Sequence, residues 1–338
     1  MKFGLLVDCH VREGRTQTLA FDELFDQVDA AESMGLDSIW IVEHHFRPKA
    51  SVLSASMMVA GAIAARTKRV RIGTAVQVLP LGNPLRIAEE VASIDHMSHG
   101  RFDFGVGRSS IPKFYDGFNI PYSESTARFT ESFEIVLRAF TQETFSFEGD
   151  YYSYHDVSIS PRPLQQPYPP IYMAVRTPEG FAHTARSGFN VVLWFMGDYY
   201  EDRLQIYRDE WQAAGHADPP EIHVRVPIFV AESEEQAREI PRASVVHDLH
   251  RVIAEATAMN AADRVAQAER YLSDYDEFLR TRVVFGSPES VVDRIEEFRE
   301  RTGLTGLILD MNHGGQIPHE QVIDSIKLLT EKVAPRLA

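Results

Sequence analysis

Short apolar runs alternate with stretches of helical period along nearly the whole chain, and this alternation limits the fold more than any other feature. Phe3–Val7, Ser38–Val42, Val70–Val78, Arg101–Val106, Ile171–Val175, Val191–Phe195, Val224–Val230 and Thr305–Asp310 have strand length and strand composition. Between them, Phe21, Leu24, Phe25, Val28 and Ala31 recur at helical spacing, and Gly35 stands where a left-handed cap would end that helix. Val52–Ala65 also reads as helical, and Pro84 begins a helix that runs to about Asp95. Ser287-Pro288-Glu289 is a helix start, with serine to cap and proline at the first position. A final amphipathic helix carries Ile323, Ile326 and Leu329. Strands separated by helices pair in parallel, because each crossover covers a sheet face. An open doubly wound sheet satisfies that rule, but the even spacing favours an α/β fold of the closed (β/α)8 kind, a TIM barrel with insertions.

The 338 residues suit one such domain, spanning 1–338 with no linker. Tyr151–Ser160 reads as an extended excursion, followed by the proline-rich Pro161–Pro170. The segment 232–282 is long, polar and weakly patterned for one barrel helix. It reads either as a helix plus a mobile excursion over the barrel mouth or as a solvated helix pair.

A net charge of −15 repels nucleic acid and anionic lipid, so an anionic ligand needs a local basic pocket. The single Cys9 allows no internal disulfide and no cysteine-rich metal site, and it fits a reducing cytoplasm. No apolar run reaches the roughly 18 residues of a spanning helix. The N-terminus lacks the basic, apolar and small-residue sequence of a leader. The expectation is a soluble cytoplasmic protein.

In a parallel barrel, function collects at the C-terminal strand ends. Glu43, His44 and His45 follow the second run, Ala75, Val76 and Gln77 the third, and Gly107, Arg108, Ser109 and Ser110 the fourth. Arg176 and Thr177 follow the fifth, and Trp194 lies in the sixth. An imidazole moves protons near neutral pH, and adjacent residues on an extended segment face opposite ways. One of His44 and His45 therefore faces the pocket, unless both are packed structural histidines. Glu43, His44 and His45 with a distant His223 or His313 form an alternative metal set. That set is disfavoured because the first run ends in Val7-Asp8-Cys9-His10-Val11, without a His-x-His pair. Arg108 and Ser109, with Arg176 and Thr177 on the next strand, offer guanidinium and hydroxyl groups for one phosphate. Taken singly, each arginine equally suits a salt bridge. Trp194, Phe195 and Met196 suit a flat ligand or the core alike.

The chain resembles the bacterial luciferase-like flavin-dependent monooxygenases at Ser38-Ile39-Trp40-Ile41-Val42-Glu43-His44-His45-Phe46 and Gly73-Thr74-Ala75-Val76. The likeness continues through Asn83-Pro84, Asp95-His96-Met97-Ser98-His99-Gly100-Arg101-Phe102 and Gly105-Val106-Gly107-Arg108 to Gly286-Ser287-Pro288-Glu289. The resemblance implies reduced FMN (FMNH2) delivered by a separate flavin reductase. It also implies molecular oxygen and a small organic substrate, oxygenated through a C4a-(hydro)peroxyflavin. His44 falls on the family's catalytic imidazole and His45 on its neighbour in the flavin pocket. Ala75 and Val76 fall on a bulged third strand, often with a non-prolyl cis peptide. Arg108 and Thr177 fall on phosphate contacts, with Ser109 beside them; Arg176 adds charge where the family's namesake has an acid. Trp194 falls beside the cofactor, Phe114 replaces an acid, and Gly107 replaces a cysteine. The resemblance also implies a homodimer packed through Val59–Ala64 and Ile87–Ile94, and a lid within 232–282. Two alternatives share the barrel: a deazaflavin-dependent hydride-transfer oxidoreductase, and a non-catalytic flavin-binding subunit.

Overall fold

All eight apolar runs form strands in the computed structural model, which describes residues 1–194 and 200–337. The strands are β1 (Lys2–Val7), β2 (Ser38–Ile41), β3 (Arg71–Thr74), β4 (Phe102–Gly107), β5 (Ile171–Met173), β6 (Asn190–Trp194), β7 (Ile222–Val230) and β8 (Gly306–Asp310). Each pairs in parallel with the next, from β1 to β8. β8 pairs in turn with β1, which closes the barrel. Helices follow the strands and bury their apolar stripes outside it; Leu24, Val28 and Ala31 of helix Gln17–Ser33 are buried in this way. The expected caps are present. Gly35 has φ +94°, and the Ser287 hydroxyl accepts the Ser290 N–H ahead of helix Pro288–Thr302.

The barrel interior is filled from below by aromatic rings. Trp40 lies 5.0 Å from Tyr172 and 5.4 Å from His223, centroid to centroid. Its indole N–H donates to Ser38 Oγ at 2.9 Å. Gly4 and Gly73 make room for it, since a Cβ at either position would overlap the Trp40 ring. Below this layer, Arg71 pairs with Asp103 at 2.8 Å. Glu221 accepts from Tyr172 at 2.8 Å and lies 3.0 Å from His223 Nε2.

The third strand breaks after Thr74 at a cis Ala75–Val76 peptide and resumes at Gln77–Val78 beside β4. Helix Ser56–Arg66 begins later than its apolar pattern suggests. The backbone before it is engaged elsewhere: Val52 N–H donates to Cys9 O, and His44 N–H to Leu53 O, both at 2.9 Å. Residues 151–160 contribute a strand of the hairpin Phe145–Glu148 and Ser153–Val157. The segment 232–282 is more helical than either expectation, with helices Glu234–Glu239, Arg242–Ala258, Ala262–Ser273 and Tyr275–Thr281. Ser244 Oγ donates to His313 O (2.7 Å), and Arg47 donates to Glu255 (3.1 Å). These bonds hold helix Arg242–Ala258 against the segments that follow β8 and β2, over the C-terminal mouth. Among the described residues, no helix is long and apolar enough to cross a membrane.

Candidate active site

The C-terminal filter gathers the expected residues into two groups. The first lies at the ends of β4 and β5. Arg108 Nη1 donates to Ser125 Oγ (3.1 Å) and Tyr122 Oη (3.3 Å), which swing the guanidinium toward the start of helix Ser125–Thr141. Ser109 takes φ +59° and its hydroxyl accepts the Ile111 N–H, so the chain turns sharply here. Thr177 caps helix Pro178–Arg186 by accepting the Gly180 N–H at 3.1 Å. Arg108, Arg176 and Thr177 are exposed, and no described residue forms an ion pair with Arg176. Guanidinium groups, a hydroxyl and a helix N-terminus are the kinds of donor that can meet an anion.

The second group surrounds the histidine doublet. His44 and His45 separate as their extended segment requires. His44 turns inward, where its Nε2 lies 3.5 Å from Asp8 Oδ2. Its Nδ1 is buried and has no hydrogen-bond partner in the protein. His45 meets a different carboxylate: its Nε2 lies 3.0 Å from Glu43 Oε1, and its ring packs edge-on against Phe118 at 4.9 Å and against Phe114 at 5.4 Å, a ring that His44 also meets edge-on at 6.2 Å. Glu43 is a support, buried and accepting from Ser56 Oγ at 3.1 Å. The set considered for a metal therefore diverges: His44 points to Asp8, His45 to Glu43, His223 to the lower barrel, and His313 to Asp310.

Several residues here carry the geometry without having been singled out by the sequence. Asp8 directly follows β1, and its side chain is buried. Its Oδ1 accepts from the Cys9 N–H at 2.8 Å and from the Ser51 hydroxyl. Burial alone would raise its carboxyl, but the His10 and His44 imidazoles and the Ser51 hydroxyl outweigh that and hold it far below the usual range. Cys9 beside it is buried, and burial together with the Asp8 charge pushes its thiol up to about 12, so it is a small core residue rather than a nucleophile. Next to β1 around the barrel, Arg225 of β7 donates to Asp310 at the end of β8 (2.9 Å). Its guanidinium lies 3.9 Å over the Trp194 ring. Trp194 is 38 % exposed, which places it at the mouth rather than in the core. Phe195 and Met196 lie outside the described residues. His313 stands 3.7 Å from both Asp310 and Asp248. Gly107 has no room for the side chain it replaces in the resemblance, since a Cβ there would come 2.7 Å from Val76 Cγ2 of the cis peptide.

A family model described as luciferase-like monooxygenase matches residues 1–306. An uncharacterised protein of Sinorhizobium fredii is 31% identical over 191 residues, 56% of this chain and 55% of that protein, so the chain spans about half the length of this relative. The oxygenase component of a flavin-dependent trigonelline monooxygenase from Acinetobacter baylyi is 26% identical, covering 88% of this chain and 86% of its own. Among solved structures, a monooxygenase from Streptomyces bottropensis superposes with TM-score 0.86 at 28% identity over 100% of both chains. The fold alone is shared with two more distant structures. One is the oxygenating constituent of 3,6-diketocamphane monooxygenase from Pseudomonas putida, in complex with FMN (TM-score 0.84, 21% identity, 99% of this chain and 98% of that one). The other is a coenzyme F420-dependent tetrahydromethanopterin reductase from Methanopyrus kandleri (TM-score 0.74, 18% identity, 100% and 99%). With a closed barrel, a histidine doublet at the end of β2 and a family match over 1–306, the chain belongs to the luciferase-like monooxygenases.

Proposed function

We propose that this chain is the oxygenase component of a two-component, FMN-dependent monooxygenase acting on a small organic substrate. The observation that carries the reading is His44: one ring nitrogen faces a buried carboxylate, and the other is buried without a protein partner. An unsatisfied polar atom in a closed site is costly unless a ligand meets it. Asp8 draws the Nε2–H toward itself, so Nδ1 carries the lone pair and accepts a proton from the reacting group. His44 is thus the proton-transfer residue, and Asp8 positions it.

The donor set at β4 and β5 fits a flavin phosphate. Arg108, Ser109, Arg176 and Thr177 hold it by charge and hydrogen bonds. Ala75 and Val76, with Gly107 beside them, form the wall behind a planar ring, and Trp194 borders it. His45 keeps the wall of the pocket in shape from behind, through Glu43, Phe114 and Phe118. FMN, reduced by a separate flavin reductase, supplies the electrons that activate molecular oxygen. The protein binds, orients and excludes water, and the helices of 232–282 cover the mouth as a lid. The chain works in the cytoplasm as a homodimer, a reading supported by exposed Met58 and Met97 on the helices that carry Val59–Ala64 and Ile87–Ile94.

The test is a substrate screen coupled to a flavin reductase, with product mass read for one added oxygen. Turnover with FMN and a product heavier by one oxygen is the expected result. No oxygen uptake with reduced FMN, together with hydride transfer from a reduced deazaflavin, would replace this reading with the hydride-transfer one.

A further inference from the structure

The chain is strongly acidic, yet one side of its barrel mouth holds a cation whose hydrogen-bonding capacity is only partly used. Arg225 lies two residues beyond His223 on β7 and so shares its inward face, about 7 Å nearer the mouth. His223 belongs to the aromatic layer that fills the lower barrel. Arg225 is therefore at the floor of the open upper part. One nitrogen, Nη2, donates to Asp310 at 2.9 Å. One face of the guanidinium lies on Trp194 at 3.9 Å, and Trp194 is partly open to the mouth. The Nε–H is buried with no partner in the protein.

Asp310 does not neutralise Arg225 alone, because it also faces His313 Nδ1 at 3.7 Å. Burial would lower the His313 imidazole, but Asp310 and Asp248 outweigh it and hold it raised, so it takes a share of the Asp310 charge. A guanidinium with five N–H donors, one carboxylate shared with a second cation, and a buried free donor has capacity left for another oxygen. An aromatic face beside it suits a planar ring.

We propose that Arg225 and Trp194 form a substrate subsite for a planar ring carrying a delocalised oxyanion, such as a carboxylate, phenolate or enolate. The site is separate from the phosphate donors, which lie at the ends of β4 and β5. It rests on the reading that this mouth is where FMN and substrate meet. A long apolar aldehyde has no group for it.

Benzoate is the probe, and benzyl alcohol the uncharged control with the same ring. Both are titrated by calorimetry into the full chain with and without FMN, and FMN affinity is measured separately. Benzoate should bind the FMN-loaded protein about tenfold or more tightly than benzyl alcohol, because the charged fork pairs only with the carboxylate. Arg225→Met should abolish that preference and leave FMN affinity within about twofold. Removing Arg225 strands the buried Asp310, so the Arg225→Met/Asp310→Asn double variant keeps the charge balanced and serves if the single variant does not fold. No benzoate preference in the wild-type chain, or an equal preference in the folded double variant, overturns the proposal. An FMN loss as large as the benzoate loss also overturns it, by making Arg225 a flavin contact. If benzoate binds with the stated preference but FMN does not bind at all, the proposed function fails and the subsite stands.

Discussion

The two ends of the barrel are built from the same kinds of residue and put to different use. At the lower end, Arg71, Asp103, Glu221, Lys2 and Tyr172 pair with one another beneath the Trp40 ring. At the upper end, Asp8, His44, Arg225, Asp310 and His313 also pair, but incompletely: His44 Nδ1 and Arg225 Nε are buried without protein partners. The lower layer is closed by aromatic rings and by glycines that admit them. His223 Nδ1 in the lower layer is also buried without a partner, but Trp40 and Tyr172 pack over that ring; what separates the two ends is this closure, which the groups at the mouth lack. The lesson is one of position. The same carboxylates and cations serve as structure where strands enter the barrel and as a site where strands leave it.

The largest effects should break the molecule at one end without touching the other. His44→Ala removes the proposed proton acceptor, and turnover should fall by about 10²–10⁴-fold while FMN still binds. Trp40→Ala empties the middle of the lower layer and should cost about 3–5 kcal/mol of stability in urea unfolding. The folded Trp40→Ala protein should keep FMN affinity and proton transfer. If the two variants each damage both properties, the ends are not separate and the comparison fails.

Asp8→Asn is a smaller and sharper change. It keeps the volume beside His44 and removes the charge that orients it, so we expect a loss of about 10–10²-fold in kcat, with little change in FMN affinity. A purely structural role for Asp8 would lower stability and leave the kcat of the folded protein alone. The His44 ring should also change its tautomer, which nitrogen chemical shifts read directly without any turnover. An unchanged tautomer with unchanged kcat would return Asp8 to the scaffold.

Much of the frame was legible because β-rich apolar runs and helical periods are local signals. Phe102, Phe104 and Val106 mark β4 by alternation, and Ser287-Pro288 marks a helix start by cap chemistry. The histidine doublet was legible for the same reason. Arg225 and Asp310 were not, since they are 85 residues apart and meet only because β7 pairs with β8. No window of sequence carries that contact, and a lone arginine in an apolar strand reads as an exception. Asp8 and Asp310 could have been found by applying the strand-end filter to β1 and β8 as strictly as to the strands between. The helices of 232–282 were hidden by composition. In Arg242–Ala258 the buried residues are Ser244, Val245, Leu249 and Ala256, too narrow and mixed a stripe to stand out among its charges.

The smallest expected effect concerns the seam between that helix and the barrel. His313 stands between Asp310 of the barrel and Asp248 of the helix, 3.7 Å from each. Burial disfavours its charged form, but the two carboxylates prevail and raise it above the usual imidazole value. A group raised on folding binds its proton more tightly in the folded state. Its contribution to stability is therefore complete below the ordinary histidine value and is lost as pH rises through the raised one. Asp8 and Asp310 have the opposite sign, because their depressed carboxyls help at neutral pH and fail only in acid. Between weakly acidic and alkaline pH these carboxylates therefore stay charged, and the raised His313 loses its proton. After correction for the intrinsic rate, hydrogen exchange in Arg242–Ala258 should speed up as pH rises through that window, while β1 to β4 and the lower layer stay protected. His313→Gln should remove the pH dependence and leave the helix at its alkaline exchange rate. If the helix exchanges equally at both ends of the window, its attachment rests on Arg47, Ser244 and their partners, and the upper end of the barrel is as fixed as the lower.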